Sequence, residues 1–242
     1  MKRLSKRSWI GISVLLISGI TYYFALPETL FDDPYSTVLE DREGELMAAT
    51  IAADGQWRFP QLDTVPDKFV QAIIHFEDKR FKQHWGVDVR AMARAIRQNI
   101  KAGKVISGGS TISMQVIRLS RKGKNRTYFE KLYEVILATR LELRYSKDEI
   151  LALYASHAPF GGNVVGLEAA CWRYFSRDVH ELSWSEAAML AVLPNAPALI
   201  HPGKNRETLL AKRNALLDKL QQAGLIDDVT CELAKSEEIP DQ

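Results

Sequence analysis

The chain begins with one unbroken apolar run and then takes up the rhythm of helices. Residues 8–27 carry no charge, and Lys2, Arg3, Lys6 and Arg7 stand before them. A helix of that length is about what a hydrocarbon core of roughly 30 Å needs. Trp9 at one end and Tyr22 and Tyr23 at the other suit the two interfaces. The basic cluster predicts a cytoplasmic N-terminus, with everything beyond Glu28 outside. Tyr22, Tyr23 and Phe24 are bulky where a cleaved signal needs small residues. The pattern therefore predicts a cytoplasmic tail over 1–8 and a single-pass anchor in the plasma membrane over 9–26.

Residues 27–59 read as a linker with short strands, in which 37–39 and 46–51 flank the turn Arg42-Glu43-Gly44 as a hairpin. Pro60 and Pro66 punctuate the entry to the main domain, and Asp67 follows them as a helix start. Phe69, Ile73, Ile74 and Phe76 then recur at helical spacing and lead into Glu77. Asp88 caps a further helix whose expected apolar face is Val89, Met92, Ala95, Ile96, Asn99 and Ile100, with Gly103 ending it. Thr127 with Glu130, Ser146 with Glu149 and Ser183 with Glu186 have capping-box spacing, and each opens an apolar-periodic helix. Residues 206–225 form an amphipathic helix before a polar end. The predicted fold is mainly α with a short β-hairpin, as a helical domain over 60–205 followed by a C-terminal helix and tail over 206–242.

Composition changes this picture little: 46% hydrophobic and 26% charged residues in 242 describe a folded chain with one real core. Cys171 and Cys231 lie far apart without a CxxC or histidine spacing, so they read as free thiols and not as a structural zinc site. The net charge of +2 conceals a strong asymmetry. No acidic residue stands between Asp88 and Glu130, whereas Arg90, Arg94, Arg97, Lys101, Lys104, Arg118, Arg121, Lys122, Lys124 and Arg126 all do. Such a field attracts anions. An outward-facing domain points to lipid headgroups or a lipid pyrophosphate and excludes nucleic acid. Val105, Ile106, Ile112, Val116, Ile117 and Leu119 are interleaved with the later cations, which predicts a surface that dips into the lipid interface.

Three clusters carry candidate chemistry. Glu77 and Asp78 end an apolar helix beside Lys79 and Arg80, with His84 shortly after; a carboxylate in a partly apolar cleft has its pKa raised towards that of a working acid or base. Gly108-Gly109-Ser110-Thr111 leads into a helix containing Gln115, where backbone N–H groups and hydroxyls hold phosphate or sugar. Lys131 and Glu134 sit one turn apart, with Glu134 on the side of Leu137, Ala138 and Leu141. Read singly, each has a structural explanation: a charged helix end, a helix start and an i,i+3 ion pair.

Taken in order, the blocks EDKRFxxHxGVD, GGSTISMQ, KxxE at Lys131 and Glu134, KDEILALYAS with PFGG, and SEAAMLAVLPNAP resemble glycosyltransferase family 51. This is the peptidoglycan glycosyltransferase module of class A penicillin-binding proteins, and the wording of the blocks is closest to the 1C type. The resemblance implies a lysozyme-like helical fold with a cleft against the membrane. It implies polymerisation of lipid II into β-1,4-linked glycan strands with release of undecaprenyl pyrophosphate, in cell wall biosynthesis. Glu77 and Glu134 would be catalytic. Arg80, Arg126 and Lys131 would neutralise the pyrophosphate, Ser110, Thr111 and Gln115 would position phosphate or sugar, and Asp78 and His84 would shape the cleft. Glu134 would act directly or through a divalent cation, magnesium or manganese; no metal site made by the protein alone is expected. Partners implied are lipid II, the growing glycan, the plasma membrane and other cell-wall synthesis proteins.

The chain departs from the family pattern at Met114, at Glu130, where a cation is usual, and at Ser156, where asparagine is usual. Glu130 removes a positive charge near the substrate phosphates, and Ser156 alters a structural hydrogen bond. No SxxK followed by SxN and KTG occurs, so the chain carries no transpeptidase signature. Two other readings remain open at this point: a lysozyme or lytic transglycosylase acting on finished glycan, and a non-catalytic membrane-anchored scaffold for wall synthesis.

Overall fold

The computed structural model describes residues 6–44, 46–122, 124 and 127–240. Arg126 therefore lies outside the described residues. The first element is helix α1 (Lys6–Tyr23), none of whose residues is buried. Among the described residues no helix is long and apolar enough to cross a membrane. The anchor expected over 9–26 is corrected accordingly. The helix begins inside the basic cluster and unwinds after Tyr23, so its charge-free part, 8–23, covers about 24 Å at about 1.5 Å per residue. Two causes end it early: Pro27 disfavours helical backbone before it, and Leu26 and Leu30 turn back to be buried in the domain.

The chain then forms the predicted hairpin, β1 (Thr37–Glu40) antiparallel to β2 (Leu46–Thr50), with Val38 opposite Ala49 and a bulge at Leu39/Glu40. A second sheet has the order β3-β5-β4, with β3 (Trp57–Arg58) parallel to β5 (Val164–Val165) and β4 (Pro159–Gly161) antiparallel to it. It ties the segment before the helical domain to the turn at Gly161-Gly162. The same segment is strapped down by Arg58, which donates to Pro34 O at 2.6 Å and to Asp54 Oδ2 at 3.0 Å. Phe31 stacks on His157 with ring centroids 3.5 Å apart.

The remaining helices are α2 (Asp67–Glu77), α3 (Val89–Ala102), α4 (Ile112–Ser120), α5 (Tyr128–Glu142), α6 (Lys147–His157), α7 (Leu167–Phe175), α8 (Trp184–Val192), α9 (Arg206–Gln222) and α10 (Asp228–Ser236). Two helices are buried on nearly every side and become the centre: six residues of α4 in a row, Ile112 to Ile117, are buried, and so are Ser185 and every residue of α8 from Ala187 to Val192. α4 packs between α5 and α6, and α2 packs against α8 and α9. Ser146 and Ser183 make complete capping boxes with Glu149 and Glu186. At the third predicted box, Thr127 accepts from Glu130 N, but the Glu130 side chain goes elsewhere.

Two expectations about surfaces are corrected. Of the apolar face predicted for α3 only Ala95 is buried; Val89, Ile96 and Ile100 are exposed. Conversely Ile112, Val116 and Ile117, expected at a lipid interface, are in the core, and only Val105 and Ile106 of that set are exposed. Helical periodicity reports that a face is apolar and leaves open what covers it. Cys171 and Cys231 are buried free thiols.

Candidate active site

Burial of Phe69, Ala72, Ile73 and Ile74 on α2 drives the C-terminal end of that helix into the molecule, carrying Glu77 with it. Gln115 Nε2 donates to Glu77 Oε2 at 2.7 Å, and Arg118 donates to Gln115 Oε1 at 3.2 Å. Burial raises the Glu77 carboxyl above its ordinary pKa; the Gln115 hydrogen bond and the Arg118 charge pull against that shift without cancelling it. The result is a carboxylate held ready to take a proton.

Asp78, 5% exposed, joins three segments. His84 Nε2 lies 3.0 Å from both of its carboxylate oxygens, and Ile112 N, at the start of α4, donates to Oδ2 at 3.0 Å. Arg80 is paired with Asp88 through two hydrogen bonds, one of them at 2.9 Å from Nε to Oδ2. Asp88 in turn caps α3 by accepting from Ala91 N at 2.7 Å. Met114 is buried, and Ser156 Oγ accepts from Leu62 N at 3.0 Å.

The glycine-rich loop is clamped from both sides. Gly86 has φ of 80°, and a Cβ there would lie 2.5 Å from Ala138 O on α5. Its carbonyl accepts from Thr111 Oγ1 at 2.6 Å, while the same hydroxyl accepts from Met114 N at 3.2 Å as the α4 cap. A Cβ on Gly109 would lie 2.8 Å from Met92 Cα on α3, so only glycine lets the loop approach that helix. Ser110 points the other way: its Oγ accepts from Lys131 Nζ at 2.8 Å, and the same ammonium donates to Glu134 Oε2 at 2.8 Å. Glu134 is buried on the apolar side of α5 with Leu137, Ala138 and Leu141.

Two cavities meet here. One of about 310 Å³ is lined by Glu77, Ser110, Gln115, Arg118 and Asn195. A second of about 160 Å³ is lined by Glu77, Asp78, Arg80 and the loop from Gly108 to Thr111. Glu77 and Ser110 border both, so a group bound on either side faces the same carboxylate. Lys131 and Glu134 reach the pair through Ser110.

Three residues at this site were not singled out in the sequence as site residues. Arg118 had a signal, three residues after Gln115 on one helix. Asn195, in the turn after α8, lay within the block SEAAMLAVLPNAP without being picked out, and Lys212, on α9, had no signal. Lys212 Nζ donates to Asn195 Oδ1 at 3.1 Å, and its charge acts on Glu77. Among the described residues no group of three or more His, Cys, Asp and Glu side chains could hold a metal ion. The one carboxylate expected to share a cation, Glu134, is already engaged by an ammonium, a donor set that does not fit a divalent ion held by the protein alone.

The chain resembles known proteins over most of its length. Penicillin-binding protein 1C of Escherichia coli is 43% identical over 174 residues, 72% of this chain and 22% of that protein. Penicillin-binding protein 1A of Pseudomonas aeruginosa is 37% identical over 175 residues, 72% of this chain and 21% of that protein. The chain thus spans about a fifth of the length of these two relatives. The crystal structure of penicillin-binding protein 1A from Haemophilus influenzae aligns with 86% of this chain and 21% of that chain, at 20% identity and a TM-score of 0.48, a likeness too loose to carry an argument. The family model described as Transglycosylase matches residues 43–221, from the hairpin through α9 and well over half of the sequence, and on that ground the chain belongs to the transglycosylase family.

Proposed function

We propose that the chain is a peptidoglycan glycosyltransferase that polymerises lipid II into β-1,4-linked glycan. The observation that carries this reading is the position of Glu77: a half-buried carboxyl with raised pKa at the border of two cavities, next to a serine that leads to a lysine. Glu77 takes the proton from the 4-hydroxyl of the acceptor sugar. The oxygen attacks the anomeric carbon of the donor from the face opposite the leaving group, the bond to pyrophosphate breaks, and the configuration inverts. Charge grows on the departing pyrophosphate, where Lys131 and Arg118 stabilise it most in the transition state. Glu134 orients Lys131, Gln115 holds Glu77, and Asp78 with His84 fixes the start of α4 against the end of α2. Arg80 and Thr111 act one step back, through Asp88 and Gly86.

In this reading residues 60–205 are the catalytic unit, and α9, the first helix of the C-terminal segment 206–242, completes its wall with Lys212. Residues 27–59 connect that unit to α1. The apolar side chains of α1, exposed on all sides, bring the chain to the plasma membrane without requiring that this helix cross it, and the catalytic unit works at the membrane surface. The bare apolar face of α3, flanked by exposed Arg90, Arg94, Arg97 and Lys101, rests on the lipid surface. Substrate diffusing in the membrane then enters from the side on which it is anchored.

Polymerisation of labelled lipid-linked precursor by detergent-solubilised protein, with Glu77→Gln beside it, tests the assignment. Long glycan from the wild type alone is expected. Equal synthesis by the variant removes Glu77 as the base. Fragments released from purified sacculi, with no polymer, would identify a hydrolytic or lytic enzyme instead, and precursor bound without turnover would identify a scaffold.

A further inference from the structure

We infer that Glu130 is an internal competitor for the substrate's pyrophosphate: its carboxylate occupies the guanidinium fork of Arg121, and a phosphate group takes that fork over when substrate binds. The inference rests on the reading of the site as one for a lipid-linked pyrophosphate, and it concerns a residue to which that reading gives no role.

Arg121 stands at the C-terminal cap of α4, at the end of the row Gln115, Arg118, Arg121. Gln115 holds Glu77 and Arg118 lines its cavity, so the row leads outward from the proposed base. Glu130 lies in the first turn of α5, one residue before Lys131 and one turn before Glu134. Arg121 Nε donates to Glu130 Oε1 at 2.5 Å, and a terminal nitrogen donates to Oε2 at 3.1 Å. The guanidinium carbon sits 4.3 Å from the centre of the Tyr133 ring. Stacking fixes the plane of the guanidinium and presents one edge of it as a pair of parallel donors. A carboxylate and a phosphate offer that edge the same pair of acceptor oxygens, so one replaces the other without moving the arginine.

A second observation shows that the Glu130 side chain is not spent on its helix. At Ser146 and Ser183 the glutamate three residues on reaches back to the N-cap backbone and closes the capping box. At Thr127 only half of the box forms: Glu130 N donates to Thr127 Oγ1 at 3.1 Å, while the carboxylate turns to Arg121. The pair is partly open to solvent, with the two side chains 27% and 19% exposed, so a phosphate reaches it without unfolding anything. The resting pair keeps a strong cation neutralised beside Lys131, and substrate must displace a carboxylate to use it.

The test uses the full chain in detergent, with inorganic pyrophosphate as the probe and calorimetry as the readout. Glu130→Gln is expected to bind pyrophosphate about fivefold more tightly, the scale of an exposed ion pair. The KM for the lipid-linked precursor falls by a similar factor with kcat nearly unchanged. Arg121→Gln weakens binding, and the double variant shows no gain over Arg121→Gln alone. Unchanged or weaker binding by Glu130→Gln, or a gain that persists without Arg121, overturns the inference. Should Glu130→Gln fail to fold, the ¹⁵Nε resonance of Arg121 in the wild type decides: a shift on titration supports the exchange, and a resonance unmoved at saturation overturns it. Tighter pyrophosphate binding by Glu130→Gln in a protein that does not polymerise would uphold the competition and defeat the proposed function. Polymerisation by a wild type whose Glu130→Gln variant behaves identically would do the reverse.

Discussion

Glu77 owes its chemistry to two opposed neighbours, the apolar burial that raises its pKa and the Gln115 amide that lowers it. Gln115→Leu removes the opposing donor and leaves the burial. The carboxyl must be ionised to accept a proton, so activity falls as pH drops through its pKa. The acid limb of kcat/KM is therefore expected at higher pH in Gln115→Leu than in the wild type, and a limb that stays put or moves down would show that Gln115 does not act through Glu77. The same raised pKa fixes a sign for stability. The folded chain holds the Glu77 proton more tightly than the unfolded chain does, so stability is greatest below the unfolded pKa and declines as pH rises through the folded one. Glu77→Gln, expected to be inactive in polymerisation, should consequently melt at pH 7 no lower than the wild type; a clearly lower Tm would mean that the carboxylate is structural.

At the scale of elements, the strap before β1 depends on a histidine. His157 ends α6 with neither ring nitrogen hydrogen-bonded among the described residues, and it stacks on Phe31 of the strap. Burial lowers its pKa to about 4, with nearby Asp33 working against that and Lys122 and Arg58 adding to it. The neutral ring is the one that fits. Its contribution to stability is complete above about 6.5, the unfolded value, and is lost as pH falls from there towards 4. The drop in Tm between pH 7 and pH 5 is expected to shrink in His157→Phe, which keeps the stack and cannot be protonated. An equal drop in both proteins would place the acid sensitivity elsewhere.

The whole molecule leaves apolar surface uncovered on α1, on α3 with Val105 and Ile106, and on the first turns of α5 at Tyr128, Phe129 and Leu132. In the proposed contact with the membrane, the cations among them and the apolar side chains make two separable contributions. Flotation with vesicles containing anionic lipid should weaken as ionic strength rises from about 0.1 M to about 1 M, where the Debye length falls from about 10 Å to about 3 Å. The portion that survives high salt should decrease further in Ile96→Ser/Ile100→Ser, which removes apolar area and no charge. Retention that ignores both salt and the double substitution would leave α1 alone as the attachment.

The sequence by itself determined what depends on near neighbours along the chain. The hairpin, the helices, the two complete capping boxes and the burial of Glu134 beside Leu137, Ala138 and Leu141 all follow from spacings of two, three and four residues. The blocks around Glu77, Ser110 and Lys131 were legible as candidate chemistry for the same reason, since each is a short run with its own pattern. Tertiary structure alone decided which apolar faces are covered, which is why α3 stands bare while Ile112, Val116 and Ile117 are buried. It also ended α1 at Tyr23, because Leu26 and Leu30 found partners in a core formed mostly by residues far along the chain. It brought Asn195 and Lys212 to Glu77 and turned Glu130 from its helix to Arg121. Each of these depends on a neighbour supplied by another element, and no local spacing encodes where the chain will bring that neighbour.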